Sequence, residues 1–369
     1  MTVRAVVLRE AGVRPAVEEV VLAPPKRGEL VVRIEAAGVC HSDYHYVSGQ
    51  LVAPLPLVLG HEGCGIVEQL GPEPDGRIAV GDRVALLWRP RCGRCAACLA
   101  GNPALCERGR VQASTGGLPD GTSRLSLPDG GELHHLMGVS CFAERVVVSE
   151  NAVVPVPDGV PPEVAAISAC AVVTGVGAVL NVVERAAGRG VLVVGAGGVG
   201  LSSVMGAHLV GASPVIVADV DDAKLELARE LGATHVVNSS RDDLVDEVMR
   251  ITGGDGVPWA IEAVGRQQTL EATLECLAAG GTMVALGLGS VDTRFAVPLN
   301  QLVQRQKRVV GALYGSSNPP LDLPRIFGLY LDGRLPLDRL IGDRMPLADV
   351  NLAYDALLRG AVGRGILVP

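Results

Sequence analysis

A two-domain α/β fold, one part mostly β and the other a doubly wound parallel sheet, is predicted by three observations. The chain of 369 residues is longer than a single hydrophobic core usually serves. Its composition is 48% hydrophobic but only 3% aromatic, rich in the Val, Ala, Leu and Gly that suit buried parallel strands under small-residue helices. Its texture also changes along its length, from short strands punctuated by Gly and Pro to alternating apolar runs and helical stretches.

Residues 1–171 carry the first texture, with strands expected at AVVL near Ala5, LVVRIEAAGV from Leu30, GIVEQLG from Gly65 and VGDRVALL from Val80. Short strands of this kind predict a compact, mostly antiparallel, barrel-like domain. Residues 172–313 carry the second texture in VLVVGAGGVG, VIVADVDDAKLELARELGA, WAIEAVG and LECLAAGGTMVALGLG. That alternation predicts right-handed βαβ units in a parallel sheet. Residues 314–369 lose it and are expected to return to the first domain.

A formal charge of -8 without a Lys/Arg stripe argues against nucleic acid or an anionic membrane as partner and favours small molecules. The opening MTVRAVVLREAG carries Arg4, Arg9 and Glu10 and no apolar signal-like core, so a cytoplasmic location is expected. Two uncharged stretches, Val164 to Val183 and Val191 to Ala218, have membrane-spanning length. Thr174, Gly175, Gly177 and Asn181 in the first, and a glycine cluster with Pro214 in the second, predict instead a buried helix and a strand-turn-helix-strand unit.

Cysteines in a reducing compartment more often bind metal or do chemistry than form disulfides. Cys92, Cys95, Cys98 and Cys106 form C-x2-C-x2-C-x7-C, with Gly93, Gly101 and Pro103 supplying turns. Four thiolates so spaced can converge on zinc and leave no vacant position, a structural site in a lobe spanning 88–110. An iron-sulfur cluster or unligated thiols is the alternative. A second set is dispersed: Cys40 in GVCHSDYH, His61 in GHEG and Cys170 in ISACAVVTG. One imidazole and two thiolates would leave tetrahedral zinc open to substrate, although each residue alone also reads as ordinary core packing. Asp43 can orient the His61 ring, Ser42 and His45 lie one turn apart and can pass a proton outward, and Glu62 stands next to the imidazole.

Gly195, Gly197 and Gly200 form G-x-G-x-x-G directly after an expected strand and at the opening of a helix. Asp219 ends the next strand, where a carboxylate receives adenosine ribose hydroxyls and repels a 2'-phosphate, so NAD is favoured over NADP. Lys224 can steady the same ribose or be a solvated helical lysine.

Together these residues resemble the zinc-containing medium-chain dehydrogenase family, in particular its long branch with the liver-type and glutathione-dependent formaldehyde dehydrogenases. The likeness runs through GVCHSD, GHEGCG, VGDRV, the four-cysteine lobe, GLPDGTSRL, HHLMG, GAGGVG, IEAVGR and GRGILV. It implies a GroES-like catalytic domain and a Rossmann coenzyme domain. It implies two zinc ions, a catalytic one on Cys40, His61 and Cys170 with Glu62 as an occasional ligand, and a structural one on the four clustered cysteines. Asp43 would hydrogen-bond His61, and Ser42, the nicotinamide ribose and His45 would form a proton relay.

The same resemblance puts Thr174 and Val199 against the nicotinamide, Gly195, Gly197, Gly198 and Gly200 under the pyrophosphate, Asp219 and Lys224 at the ribose, Val264 at the coenzyme and Arg364 near the phosphates. His41 stands where an arginine is common, which would loosen the coenzyme. Leu51, Trp88, Leu136, Met137, Leu288 and Leu313 would line an apolar cleft for primary alcohols of medium-chain, allylic or aromatic type. The implied activity is hydride transfer between such an alcohol or its aldehyde and NAD. Oxidation of a thiol adduct of formaldehyde is the alternative, suggested by Arg110 and opposed by Leu51; a non-catalytic NAD-binding protein is a remote one. A homodimer is expected, its sheet continued between subunits through the run GGTMVALGLGS from Gly280.

Overall fold

The computed structural model describes residues 1–369, the side chains of 111–113 excepted. The chain forms two compact units, Met1–Cys170 with Asn318–Gly333 and Leu337–Pro369, and Ala171–Ser317 with Arg334–Pro336.

The first unit opens with β1 (Thr2–Leu8), β2 (Ala16–Leu22) and β3 (Glu29–Gly38), followed by the short helix α1 (His41–Val47). Then come β4 (Leu57–Val58), β5 (Glu62–Leu70) and β6 (Arg83–Leu86). The expected strand from Val80 starts only at Arg83, because Gly81 turns the chain at φ 97°. Helices α2 (Ala96–Leu99) and α3 (Glu107–Ser114) belong to the cysteine lobe. Strands β7 (Leu125–Ser126), β8 (Glu132–His135), β9 (Arg145–Ser149) and β10 (Val153–Pro155) lead to helix α4 (Pro162–Ile167).

Strands β1, β2, β7, β8 and β4 close a barrel, so none of the five leaves an edge open there. Leu8, Leu22, Leu30, Leu57, Leu59, Leu133 and Phe142 fill the unit's core and are essentially inaccessible to solvent.

The second unit follows a π-helical turn at Ser168–Val172, with helix α5 (Val173–Asn181), β11 (Val191–Val194), α6 (Gly198–Leu209), β12 (Val215–Asp219) and α7 (Asp222–Glu230). It continues with β13 (His235–Asn238), α8 (Leu244–Ile251), β14 (Val257–Glu262), α9 (Gln267–Glu275), β15 (Leu277–Ala285), α10 (Leu299–Gln304) and β16 (Arg308–Gly311). All six strands are parallel in the order β13-β12-β11-β14-β15-β16, a doubly wound sheet whose winding reverses between β11 and β14. Asp221 and Asp243 start α7 and α8 by accepting backbone N–H groups, as N-caps do. The helical stretch Pro162–Asn181 is long and apolar enough to cross a membrane, but 83% of its apolar window is buried inside the fold.

In the run from Gly280, residues 280–285 belong to β15, whose backbone is paired to β14 on one side and β16 on the other, while residues 286–290 lie beyond that strand. The free edge on that side is β16, largely exposed.

The chain then returns to the first unit through helix α11 (Pro319–Leu331), β17 (Ile341–Pro346), helix α12 (Val350–Leu358) and β18 (Arg364–Val368). Strand β18 pairs with β3, inside a sheet ordered β10-β6-β5-β3-β18-β17 with β9 also on β3.

A candidate metal centre and a dinucleotide-binding loop

Strand ends of the first unit bring its dispersed residues together. Cys40 follows β3, His61 directly precedes β5, Glu62 opens β5, Arg364 opens β18, and Cys170 sits in the π-helical turn after α4. Gly38 makes room for this, since a Cβ there would come within 2.3 Å of Glu62 Oε2. Donor atoms of Cys40, His61, Glu62 and Cys170 all lie within 4.8 Å of one another, and all four residues are buried.

His61 Nδ1 lies 2.9 Å from Asp43 Oδ1, which also accepts the Gly60 N–H at 3.2 Å. A proton held on Nδ1 leaves the Nε2 lone pair facing the cysteines. His61 Nε2 lies 3.4 Å from Cys170 Sγ. Ordinary zinc–nitrogen and zinc–sulfur bonds would set those atoms about 3.6 Å apart on a tetrahedron.

The electrostatics ask for a cation. A hydrogen bond from Cys170 holds the Cys40 thiol well below its ordinary value, and the same bond with burial pushes Cys170 well above. Burial pushes Glu62 up to about 8 despite Arg364, 3.3 Å away. Burial opposes charge on His61, but Asp43 and Cys40 together more than offset it. Among the described residues Asp43 Oδ2 and both Glu62 oxygens have no hydrogen-bond partner although fully buried, and the 3.3 Å pair with Arg364 is therefore an ion pair without hydrogen-bond alignment. Two carboxylates and two thiols around one guanidinium fit a divalent ion bound through sulfur and nitrogen.

The second metal set is local. Cys92, Cys95, Cys98 and Cys106 also have donors within 4.8 Å of one another. Cys95 and Cys106 sulfurs stand 4.0 Å apart, close to the edge of about 3.8 Å in a tetrahedral zinc–thiolate site and too long for a disulfide. Cys95 caps α2, and the N–H groups of Cys98 and Glu107 pull its thiol down to about 6, toward thiolate. The Cys92 N–H donates to Cys106 Sγ at 3.2 Å.

In the second unit, Gly195 takes φ 96° at the end of β11, and α6 opens at Gly198 with its first N–H groups unpaired by the helix itself. Gly200 permits the close turn, since a Cβ there would lie 1.7 Å from the Gly195 carbonyl oxygen. Asp219 Oδ2 accepts the Ala196 N–H at 2.7 Å, and its Oδ1 accepts from Val220 and Asp221 at 2.8 and 3.1 Å. The carboxylate thus braces the glycine loop from the neighbouring strand. Gly175 packs α5 onto α6 beside Val199, which puts Thr174 next to the loop helix.

Other expected residues fall as follows. Ser42 and His45 lie on α1, partly exposed, with His45 Nδ1 against Gln50 Oε1; His41 begins that helix, exposed. Arg364 is buried between Glu62 and the Val39 carbonyl. Lys224 is partly exposed on α7, and Val264 touches the glycine loop. Trp88 and Met137 are half-buried against the first unit's core and Leu51 is half-buried, whereas Leu136, 2% exposed, belongs to the core itself. Leu313 is half-buried and Leu288 is 55% exposed, both in the second unit. Sequence reasoning missed Glu262, fully buried at the end of β14, although an acid closing the apolar run WAIE was a signal for it.

A parallel dinucleotide-type sheet in one unit, and in the other a buried donor set of two thiols, one imidazole and a neighbouring carboxylate, define a zinc-dependent dehydrogenase class. Comparison with known proteins gives the family. Residues 26–158 match the alcohol dehydrogenase GroES-like domain, and residues 198–328 the zinc-binding dehydrogenase domain. The chain is 34% identical over 376 residues to S-(hydroxymethyl)glutathione dehydrogenase of Paracoccus denitrificans, all of both chains. It is 36% identical over 372 residues to NDMA-dependent alcohol dehydrogenase of Amycolatopsis methanolica, covering 100% of this chain and 99% of the other. Benzyl alcohol dehydrogenase from Acinetobacter calcoaceticus superposes with a TM-score of 0.93 at 31% identity, over 100% and 99% of the two chains. The protein belongs to the zinc-containing medium-chain alcohol dehydrogenase family.

Proposed function

We propose that this enzyme oxidises primary alcohols, or reduces the matching aldehydes, with NAD, and that Cys40, His61 and Cys170 hold its catalytic zinc. The convergence of these three buried donors, all within 4.8 Å of one another and with Cys170 Sγ 3.4 Å from His61 Nε2, carries the reading. Zinc bound there would supply Lewis acidity toward the alcohol oxygen, and NAD, with its pyrophosphate at Gly195–Gly200 and its nicotinamide against Thr174 and Val199, would supply the hydride acceptor.

The chain's own residues do the rest. Asp43 keeps the proton on His61 Nδ1, so that Nε2 remains a donor atom. The alcohol's O–H proton must leave a dry site; Ser42 and His45 are placed on one face of α1 to carry it outward. Asp219 braces the glycine loop from the end of β12, where a carboxylate favours NAD over NADP by repelling a 2'-phosphate. The four-cysteine set holds a structural zinc that shapes its lobe.

For substrate, half-buried Trp88 and Met137 supply an apolar wall, with Leu51 as a further candidate; Leu136 supports that wall from the core. Aromatic, allylic and medium-chain primary alcohols fit such a lining, in keeping with the benzyl alcohol relative. A thiol adduct of formaldehyde is the second reading, favoured by the glutathione-linked relative and by Arg110, exposed at the cysteine lobe. NADH formation from a panel of primary and secondary alcohols, and from formaldehyde with and without thiols, separates them. Preference for primary aromatic or medium-chain alcohols supports the first reading; bulky secondary alcohols as best substrates defeat it, and strictly thiol-dependent turnover replaces it by the second.

We also infer a homodimer joined along the exposed β16 edge and a cytoplasmic location. The nine unpaired cysteines, two metal-type sets among them, suit a reducing compartment.

A further inference from the structure

We propose that Glu262 is the positioning residue of the coenzyme site, folding the loop after β14 so that Val264 stands against the glycine turn. The proposal rests on the reading that a dinucleotide binds over Gly195–Gly200. Glu262 is the last residue of β14 and has no solvent exposure. A carboxylate buried in a sheet otherwise packed with Val, Ile and Ala is costly unless its oxygens are satisfied. Here they are satisfied by the loop that follows. Oε1 accepts from Val264 N at 3.1 Å, Gly265 N at 2.9 Å and Thr269 Oγ1 at 2.7 Å, and Oε2 accepts from Gly265 N at 3.1 Å.

The backbone of the same residue fastens a second loop. Its carbonyl accepts the N–H groups of Leu286 and Gly287, at 2.8 and 3.0 Å, just after β15. Gly265 at φ 80° and Gly287 let these loops meet backbone to backbone; a Cβ on Gly287 would lie 2.2 Å from the Gly265 nitrogen. One side chain and one carbonyl thus tie together the carboxyl ends of β14 and β15.

The position of this knot gives it a role. Glu262 pairs with Val194 of β11, and the next residue, Ala263, donates its N–H to the Val194 carbonyl at 2.9 Å. Strands β11 and β14 flank the point where the winding reverses, and ligands of such sheets bind in the crevice outside the strand ends there. Val264 reaches the glycine turn: a Cβ on Gly195 would come within 2.7 Å of Val264 Cγ2. Loss of the carboxylate releases the Val264 and Gly265 N–H groups and frees Val264 to move over the surface on which the pyrophosphate rests.

The test uses the zinc-loaded enzyme and its Glu262→Ala, Glu262→Gln and Thr269→Val variants, with NADH binding titrated by fluorescence and initial rates measured against NAD and alcohol. Glu262→Ala is expected to raise the NADH Kd and the NAD KM by about tenfold or more, with kcat no lower, alcohol KM unchanged and zinc content unchanged. Glu262→Gln, whose amide oxygen still accepts, recovers most of the affinity, and Thr269→Val gives a loss of about threefold. If Glu262→Ala does not fold, the latter two variants decide, with wild-type Kd values in both overturning the proposal. It is equally overturned if Glu262→Ala binds NADH as wild type does, or if kcat falls while both KM values stay constant. Wild-type enzyme that fails to bind NADH at all overturns the coenzyme reading and this proposal with it.

Discussion

His61 can offer Nε2 to a metal only while its other ring nitrogen holds the proton, and Asp43 is the group that keeps it there. Asp43→Ala is therefore expected to lower zinc affinity or kcat/KM by about 10–100-fold, read from bound zinc and initial rates, with Asp43→Asn intermediate because its amide oxygen still accepts. His45→Ala should leave zinc content unchanged and slow turnover mainly near neutral pH. An unchanged pH-rate profile would remove His45 from the proton path. At this scale the sequence was informative wherever partners are close in the chain: Cys40 with Asp43, His61 with Glu62, and the glycines from Gly195 to Gly200. The pairing of Glu62 with Arg364 was not legible, because it depends on β18 returning beside β3 from the far end of the chain. Glu262 escaped notice because its partners are mainly backbone N–H groups, which leave no pattern in side-chain chemistry.

Individual elements show a similar limit. The stretch from Gly117 to His135 is recognisable from GLPDGTSRL, yet its purpose appears only in three dimensions. Arg124 is buried and bonds Glu29 at 2.8 Å and Asp120 at 2.7 Å, fixing the loop to the start of β3. Arg124→Ala would leave Glu29 buried without its cation and should cost about 3–5 kcal/mol in denaturant unfolding. Beside it, burial lowers His135 to about 3, while its Nε2 accepts the Arg124 N–H at 3.1 Å. The unfolded chain binds this proton below about pH 6.5 and the folded chain does not, so the contribution is complete above that pH. It is lost as pH falls toward 3, at most about 5 kcal/mol in all. Stability of the wild type should therefore decline between about pH 6.5 and pH 4 more steeply than that of His135→Gln; parallel curves would contradict the assignment. The run from Gly280 shows where one element ends: β15 stops at Ala285, and beyond it Gly287 and Gly289 pack against the backbone of Gly265.

For the molecule as a whole, strand alternation and glycine placement made the doubly wound sheet legible, whereas which strand ends at its edge was not. An exposed edge at β16 suits pairing with a second copy. Light scattering should give about twice the 38.1 kDa chain mass, and Val309→Lys, on the edge strand, should shift it toward monomer. The two donor sets make a sharper demand, because they assign different duties to two ions in one chain. Bound zinc per chain, measured by elemental analysis on folded wild type and on Cys40→Ser, tests that demand most directly. Wild type should hold about two ions, and Cys40→Ser about one, with alcohol oxidation abolished and the fold retained. A Cys40→Ser protein that keeps both ions and turns over alcohol at the wild-type rate would contradict the account.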